Sequence, residues 1–158
     1  MKFSFKNDYS EGCHPKILEA LSQYNLDQQN GYGLDIYSEN VANIIREKSK
    51  SPQSRVHLVS GGTQANLIVI SSILRPHESV VSANTGHIFT NETGAIEATG
   101  HKVHGVETKD GKLRPEDIQN VLDVHTNVPH QVKQKLVYIS TSTEVGTIYT
   151  KKELENLS

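Results

Sequence analysis

The sequence predicts an α/β layer fold with a mostly parallel sheet. Short β-favouring apolar runs at residues 56–59 (VHLV), 79–82 (SVVS) and 136–139 (LVYI) alternate with amphipathic stretches of helical length, the pattern of a sheet covered by helices. Polar segments carrying Gly or Pro punctuate the alternation. No internal repeat or low-complexity tract interrupts it.

The elements follow in order. His14-Pro15 followed by Ile17, Leu18 and Leu21 reads as a helix with Pro in its first turn. Residues 28–35 (QQNGYGLD) form a polar loop. A second helix places Val41, Ile44 and Ile45 on one face, and Arg46, Glu47 and Lys48 close it. A turn at 51–54 leads to the first strand candidate, 56–59. The segment 60–66 (SGGTQAN) then opens an apolar helix that Arg75-Pro76 ends. Residues 79–82 read as a buried strand and 91–98 as a helix with Gly100 as its C-terminal glycine. Residues 102–108 alternate as a strand does, Asp110-Gly111 is a turn, and Pro115 opens a helix with two acids in its first turn. Residues 126–134 read as a surface loop before the strand at 136–139, and 151–158 (KKELENLS) begins a helix.

Composition narrows the function classes. The chain of 158 residues suits one domain of ordinary size. Sixteen Lys and Arg against 18 Asp and Glu leave a net charge of −2, which argues against a broad basic surface for nucleic acid. Hydrophobic residues make up 35%, low for a globular domain but outside the disordered range. One cysteine, Cys13, excludes an internal disulfide framework and a multi-cysteine zinc site, and reads as a small buried residue. No apolar run approaches the ~20 residues that span a bilayer, and the N-terminus lacks the apolar core of a secretory signal. The expectation is a soluble, cytoplasmic protein with no membrane partner.

The strongest local signal is strand, SGGTQAN, apolar helix. Two glycines permit a sharp turn and close approach to a ligand. The unpaired N–H groups of the first helical turn and the helix dipole suit a phosphate-sized anion, and Thr63 and Gln64 add side-chain donors. No Gly-Lys-Ser/Thr follows and the spacing is not GxGxxG, so a single terminal phosphate fits better than a nucleoside triphosphate or a dinucleotide. The same residues also suit a plain strand-to-helix turn capped by Thr63. Of the eight histidines, His14, His77, His101, His104, His125 and His130 show no metal-ligand spacing and read mostly as solvated loop residues. Taken alone, His87 reads as a turn histidine and Glu92 as a helix N-terminal acid.

Several segments, in order, carry a resemblance: Phe5-Lys6-Asn7-Asp8 with His14-Pro15, Tyr32-Gly33-Leu34-Asp35, Gly61-Gly62-Thr63-Gln64-Ala65-Asn66, His87-Ile88 with Glu92-Thr93-Gly94-Ala95, Asp110-Gly111-Lys112-Leu113, and Leu136-Val137-Tyr138-Ile139. Together they resemble the threonine aldolase and aromatic amino-acid β-eliminating lyase family, whose members are pyridoxal-5′-phosphate enzymes of the aspartate-aminotransferase fold. The resemblance implies a three-layer α/β/α arrangement, part of the large domain of a fold type I enzyme. Residues 1–158 would form an N-terminal segment and the first portion of that domain, with later strands and a small C-terminal domain outside the chain.

Residue by residue, the resemblance implies that Gly62, Thr63 and Gln64 hold the cofactor phosphate. His87 would stack on the pyridine ring near the substrate's β-hydroxyl. Asn7 stands where the family usually has Ser and would help hold the substrate carboxylate. Tyr32 would reach an active site across a dimer interface or order its own loop. The implied activity is retro-aldol cleavage of a β-hydroxy amino acid, L-threonine or L-allo-threonine, to glycine and acetaldehyde, in a homodimer or homotetramer. Two departures stand out. Residues 140–144 (STSTE) lack the second histidine many aldolases carry there. Nothing in the chain matches the family's Asp-Gly-Ala-Arg segment or its Schiff-base lysine, so the chain alone is expected to be inactive. The alternatives are a β-eliminating lyase acting on another amino acid, and a non-catalytic folded fragment.

Overall fold

Val80 and Val81 are adjacent and both fully buried. Successive residues of a strand face opposite sides, so this strand must be covered on both faces, as in a parallel sheet between helices. The computed structural model describes residue 4, residues 9–127 and residues 129–158. They divide into two compact units, Met1–Leu58 and Val59–Ser158.

In the first unit, α1 (Pro15–Tyr24) starts with Pro at its first turn, and the His14 ring accepts a bond from the Lys16 N–H. Helix α2 (Ile36–Lys48) is capped by Asp35, whose carboxylate accepts from the Ser38 N–H at 2.8 Å and the Ser38 hydroxyl at 2.6 Å. The Tyr24 and Tyr37 rings meet at 5.3 Å. Arg46 Nε donates to the Ser54 carbonyl and pins the turn at 51–54. Cys13 is exposed rather than buried, and its described neighbours Gly12 and His14 are exposed as well. Residues 56–59 are not a strand: no described strand lies beside them to complete a ladder, and β propensity without a partner does not hold an extended pair.

The second unit holds the sheet. Strands β1 (Glu78–Ala83), β2 (Val103–Val106) and β3 (Lys133–Val137) lie in the order β2-β1-β3, and both pairings are parallel. Helix α3 (Gly62–Ile73) and the short α4 (His87–Thr90) cover one face, where Ile70, Leu74, Val80, Ile88, Ile96 and Val103 cluster. Helix α5 (Pro115–Val124) covers the other, with Ile118 and Val121 against Val81, Ala83 and Leu113. The predicted three layers are therefore present. Each fully buried Val, Ile or Leu contributes roughly 1.5–3 kcal/mol. Helix α6 (Lys151–Leu157) starts with a Thr150–Glu153 capping box. Among the described residues no helix is long and apolar enough to cross a membrane.

Three local expectations differ from the structure. Residues 91–98 are not one helix: Thr93 (φ 54°) and Gly94 (φ 73°) turn left-handed, and only a 3-10 turn, Glu97–Thr99, precedes the left-handed Gly100. Strand β3 begins at Lys133, inside the expected loop, because Lys133 and Gln134 pair with Glu78 and Ser79. His101 and His104 are buried rather than solvated, at 5% and 7% exposure. His101 Nδ1 meets the Glu78 carbonyl, and His104 Nε2 meets the Ser79 hydroxyl.

Candidate active site

Helix α3 opens without a side-chain cap. Its N-cap, Gly61, is extended, and its carbonyl takes the first helical bond from the Ala65 N–H at 3.1 Å. Thr63 therefore sits within the first turn and is not the cap. Residues 61–64 are exposed, and a Cβ at Gly61 or Gly62 would meet nothing within 4 Å. The glycines thus serve to leave the helix start bare, since neither occupies a conformation denied to other residues. Gln64 turns back on the loop: its Oε1 accepts from the Ser60 N–H at 2.8 Å and the Ser60 hydroxyl at 2.9 Å.

His87 opens α4, just past the C-terminal end of β1. Two close approaches set that helix against the sheet. A Cβ at Gly86 would lie 2.2 Å from Ser82 Oγ, and one at Gly105 would lie 2.5 Å from the Phe89 ring. The His87 backbone N–H donates to Glu144 Oε1 at 2.8 Å, and the same oxygen accepts from the Ser140 hydroxyl at 2.6 Å. His87 Nδ1 lies 2.8 Å from Glu92 Oε1. Asn66, one turn into α3, donates its Nδ2 to that oxygen at 2.6 Å. The Glu92 side chain is fully buried, whereas the His87 side chain is 46% exposed. Glu92 Oε2, Asn84 Oδ1 and Thr85 Oγ1 are buried without a hydrogen-bond partner.

The Asn66–Glu92–His87 chain brings the bare start of α3 and the imidazole to the same end of the sheet, beyond the C-terminal edge of β1, where ligands of open α/β sheets bind. Gly62, Thr63, Gln64 and His87 are therefore gathered in one unit. Tyr32 belongs to the first unit, fully exposed with φ 63°, where it borders an open cavity of about 660 Å³ with Arg46 and His57. Asn7 lies outside the described residues. Sequence reasoning missed Asn66, Glu92 and Glu144 as site residues. Asn66 and Glu92 were within reach, since both stand in the segments that carry the resemblance, but their pairing spans two elements and leaves no mark in local spacing. Glu144 stands in the segment without the second histidine and binds the His87 backbone instead.

Chemically, the site offers amide and hydroxyl donors with no carboxylate in the loop itself, beside an imidazole whose Nδ1 meets a buried acid. Such a set can bind an anion and accept a proton. Residues 8–158 match the model of the beta-eliminating lyase family. Over 156 residues, 98% of the chain, the sequence is 28% identical to a low specificity L-threonine aldolase of Pseudomonas aeruginosa and 30% identical to one from a Pseudomonas species, covering 44% of each. A solved structure of a Leishmania major threonine aldolase superposes with a TM-score of 0.91 at 52% identity, over 99% of this chain and 45% of that one. The chain thus spans under half the length of the relatives it matches. With the family's model matched from residue 8 to the last residue and a close structural likeness along the same span, the chain belongs to the beta-eliminating lyase family.

Proposed function

We propose that the whole protein is a pyridoxal-phosphate-dependent carbon–carbon lyase of the threonine aldolase type, cleaving L-threonine or L-allo-threonine to glycine and acetaldehyde. In this reading residues 1–158 form the N-terminal segment and the first portion of the cofactor-binding large domain. Beta-eliminating lyases and threonine aldolases are pyridoxal-phosphate enzymes. The observation that carries the reading is the joining of a bare helix start to a carboxylate-bound His87 through Asn66.

The residues present fit the group. A phosphate dianion needs several convergent donors and no nearby backbone obstruction. The amides of Gly62, Thr63 and Gln64 and the Thr63 hydroxyl supply donors in open space. When bound, the coenzyme supplies an electron sink for the charge left at the substrate's α-carbon. The protein's part is positional. The start of α3 would fix the phosphate and hence the register of the ring. His87 would lie against that ring and take the β-hydroxyl proton at Nε2. Asn7 and Tyr32 are proposed to contact the substrate. No segment of residues 1–158 supplies the Schiff-base lysine, so this chain by itself is proposed not to turn over. A homodimer or homotetramer is proposed for the whole protein, and Ile17, Leu18 and Leu21, each over half exposed, accord with it. The near-neutral charge and single cysteine accord with the cytoplasm.

Titration of the ¹⁵N-labelled chain with pyridoxal phosphate tests the anchor. Saturable shifts at the Gly62, Thr63 and Gln64 amides, competed by inorganic phosphate and weakened about tenfold by Thr63→Val, are expected. Binding that leaves those amides unmoved refutes it. For the complete gene product, acetaldehyde release from L-threonine is expected. Elimination of a different amino acid without such release would favour the β-eliminating alternative.

A further inference from the structure

We propose that Glu92 is the positioning residue of His87, fixing its imidazole as the Nδ1–H tautomer and, through Asn66, tying the ring to the helix that carries the anion loop. The role as helper to a proton acceptor rests on the function proposed above, whereas the tautomer rests on this geometry alone.

The argument starts from donors and acceptors. An ionised carboxylate only accepts. Both atoms that converge on Glu92 Oε1 must therefore bring a hydrogen: Asn66 its amide NH₂ at 2.6 Å and His87 its Nδ1–H at 2.8 Å. With the hydrogen on Nδ1, Nε2 carries the lone pair, and it has no hydrogen-bond partner among the described residues. The ring reaches from the fully buried Glu92 to the half-exposed side of the site, so the free lone pair belongs to the accessible end. Glu144 holds the same residue by its backbone N–H, so backbone and ring of His87 are each fixed by a carboxylate.

Glu92 Oε2 supplies a second, independent observation. It is buried and unpartnered, although buried carboxylate oxygens ordinarily find donors. The hydrogen bonding of the carboxylate is thus spent wholly at Oε1, on His87 and Asn66, the arrangement by which an acid orients its histidine in an acid–histidine pair. Asn66 adds coupling. Because one oxygen serves both α3 and His87, a shift of the helix start moves the ring with it.

The tautomer is read directly on this chain by long-range ¹H–¹⁵N correlation of ¹⁵N-labelled histidine at pH 8, without coenzyme or substrate. The expected spectrum has His87 Nδ1 protonated and Nε2 bare, and Glu92→Leu abolishes that preference. An Nε2–H ring in the unmodified chain overturns the proposal, and this spectrum decides it even if the variant fails to fold. In the complete gene product, Glu92→Gln is expected to lower kcat by about 100-fold with KM changed less than about threefold, and an unchanged kcat overturns the positioning role. Should the phosphate titration fail while His87 shows the Nδ1–H form, the function reading falls and the tautomer assignment stands.

Discussion

Acidification tests the packing between α5 and the sheet through His104. This residue is 7% exposed on β2, with Nε2 3.0 Å from Ser79 Oγ and 3.2 Å from Gln134 Nε2. Its ring meets that of His125 edge-on at 4.5 Å. The Gln134 amide nitrogen can only donate, so His104 Nε2 serves as acceptor in a neutral ring, and protonation there would set two N–H groups against each other. Burial first, and the nearby Lys102 and His125 second, push its pKa down from 6.5 to about 4. Between those values the unfolded chain binds a proton that the folded chain refuses. The stabilisation is therefore fully present above pH 6.5 and is lost progressively as pH falls towards 4. From pH 7.5 to pH 5 the full difference is about 2 kcal/mol, and solvent screening of the ring reduces it to about 1 kcal/mol. Carboxylates held low in the fold, such as Glu153 at about 2, begin to contribute near pH 5, but they do so equally in a protein that lacks His104, so the comparison of the two proteins isolates the ring. Urea unfolding at the two pH values should show that loss in the native chain and a markedly flatter dependence in His104→Gln. Equal pH dependence in both proteins would refute the assignment.

Gly86→Ala should cost roughly 1–3 kcal/mol, because its Cβ would lie 2.2 Å from Ser82 Oγ and 3.0 Å from the Ala83 carbonyl oxygen. Ser82→Gly in the same chain should restore part of the loss, and an unshifted thermal midpoint in the single variant would contradict the packing described. Tyr149→Phe should cost about 1–3 kcal/mol, since the phenol oxygen accepts the buried Leu113 N–H at 2.7 Å. A variant as stable as the parent in urea would show that amide to be satisfied otherwise.

The sequence made legible whatever depends on local pattern. Pro15 and Pro115 marked two helix starts, residues 79–82 marked a buried strand, the alternation of runs announced a sheet covered by helices, and the family resemblance implied the three layers. What it hid depends on partners far along the chain. Residues 56–59 have strand propensity but no described neighbour to pair with, whereas the polar Lys133 and Gln134 become strand because Glu78 and Ser79 lie beside them. Residues 91–98 carry helical composition, yet Thr93 and Gly94 take left-handed backbone. In the site, the loop and His87 could be singled out from their motifs. Glu92 could be seen but was misread, because an acid near a helix start looks the same whether it faces water or lies buried between Asn66 and an imidazole.

The order β2-β1-β3 also bears on how the chain reaches its native state. Val80 pairs with Val103, whereas Glu78 pairs with Lys133, a partner more than twice as far along the chain. Each doubling of a closed loop adds about 0.6 kcal/mol of entropic cost, so the β1–β2 ladder is the cheaper one to nucleate. The transition state for folding should accordingly contain that ladder with α3 and α4 packed on it, while β3 docks downhill and is the first strand to peel away.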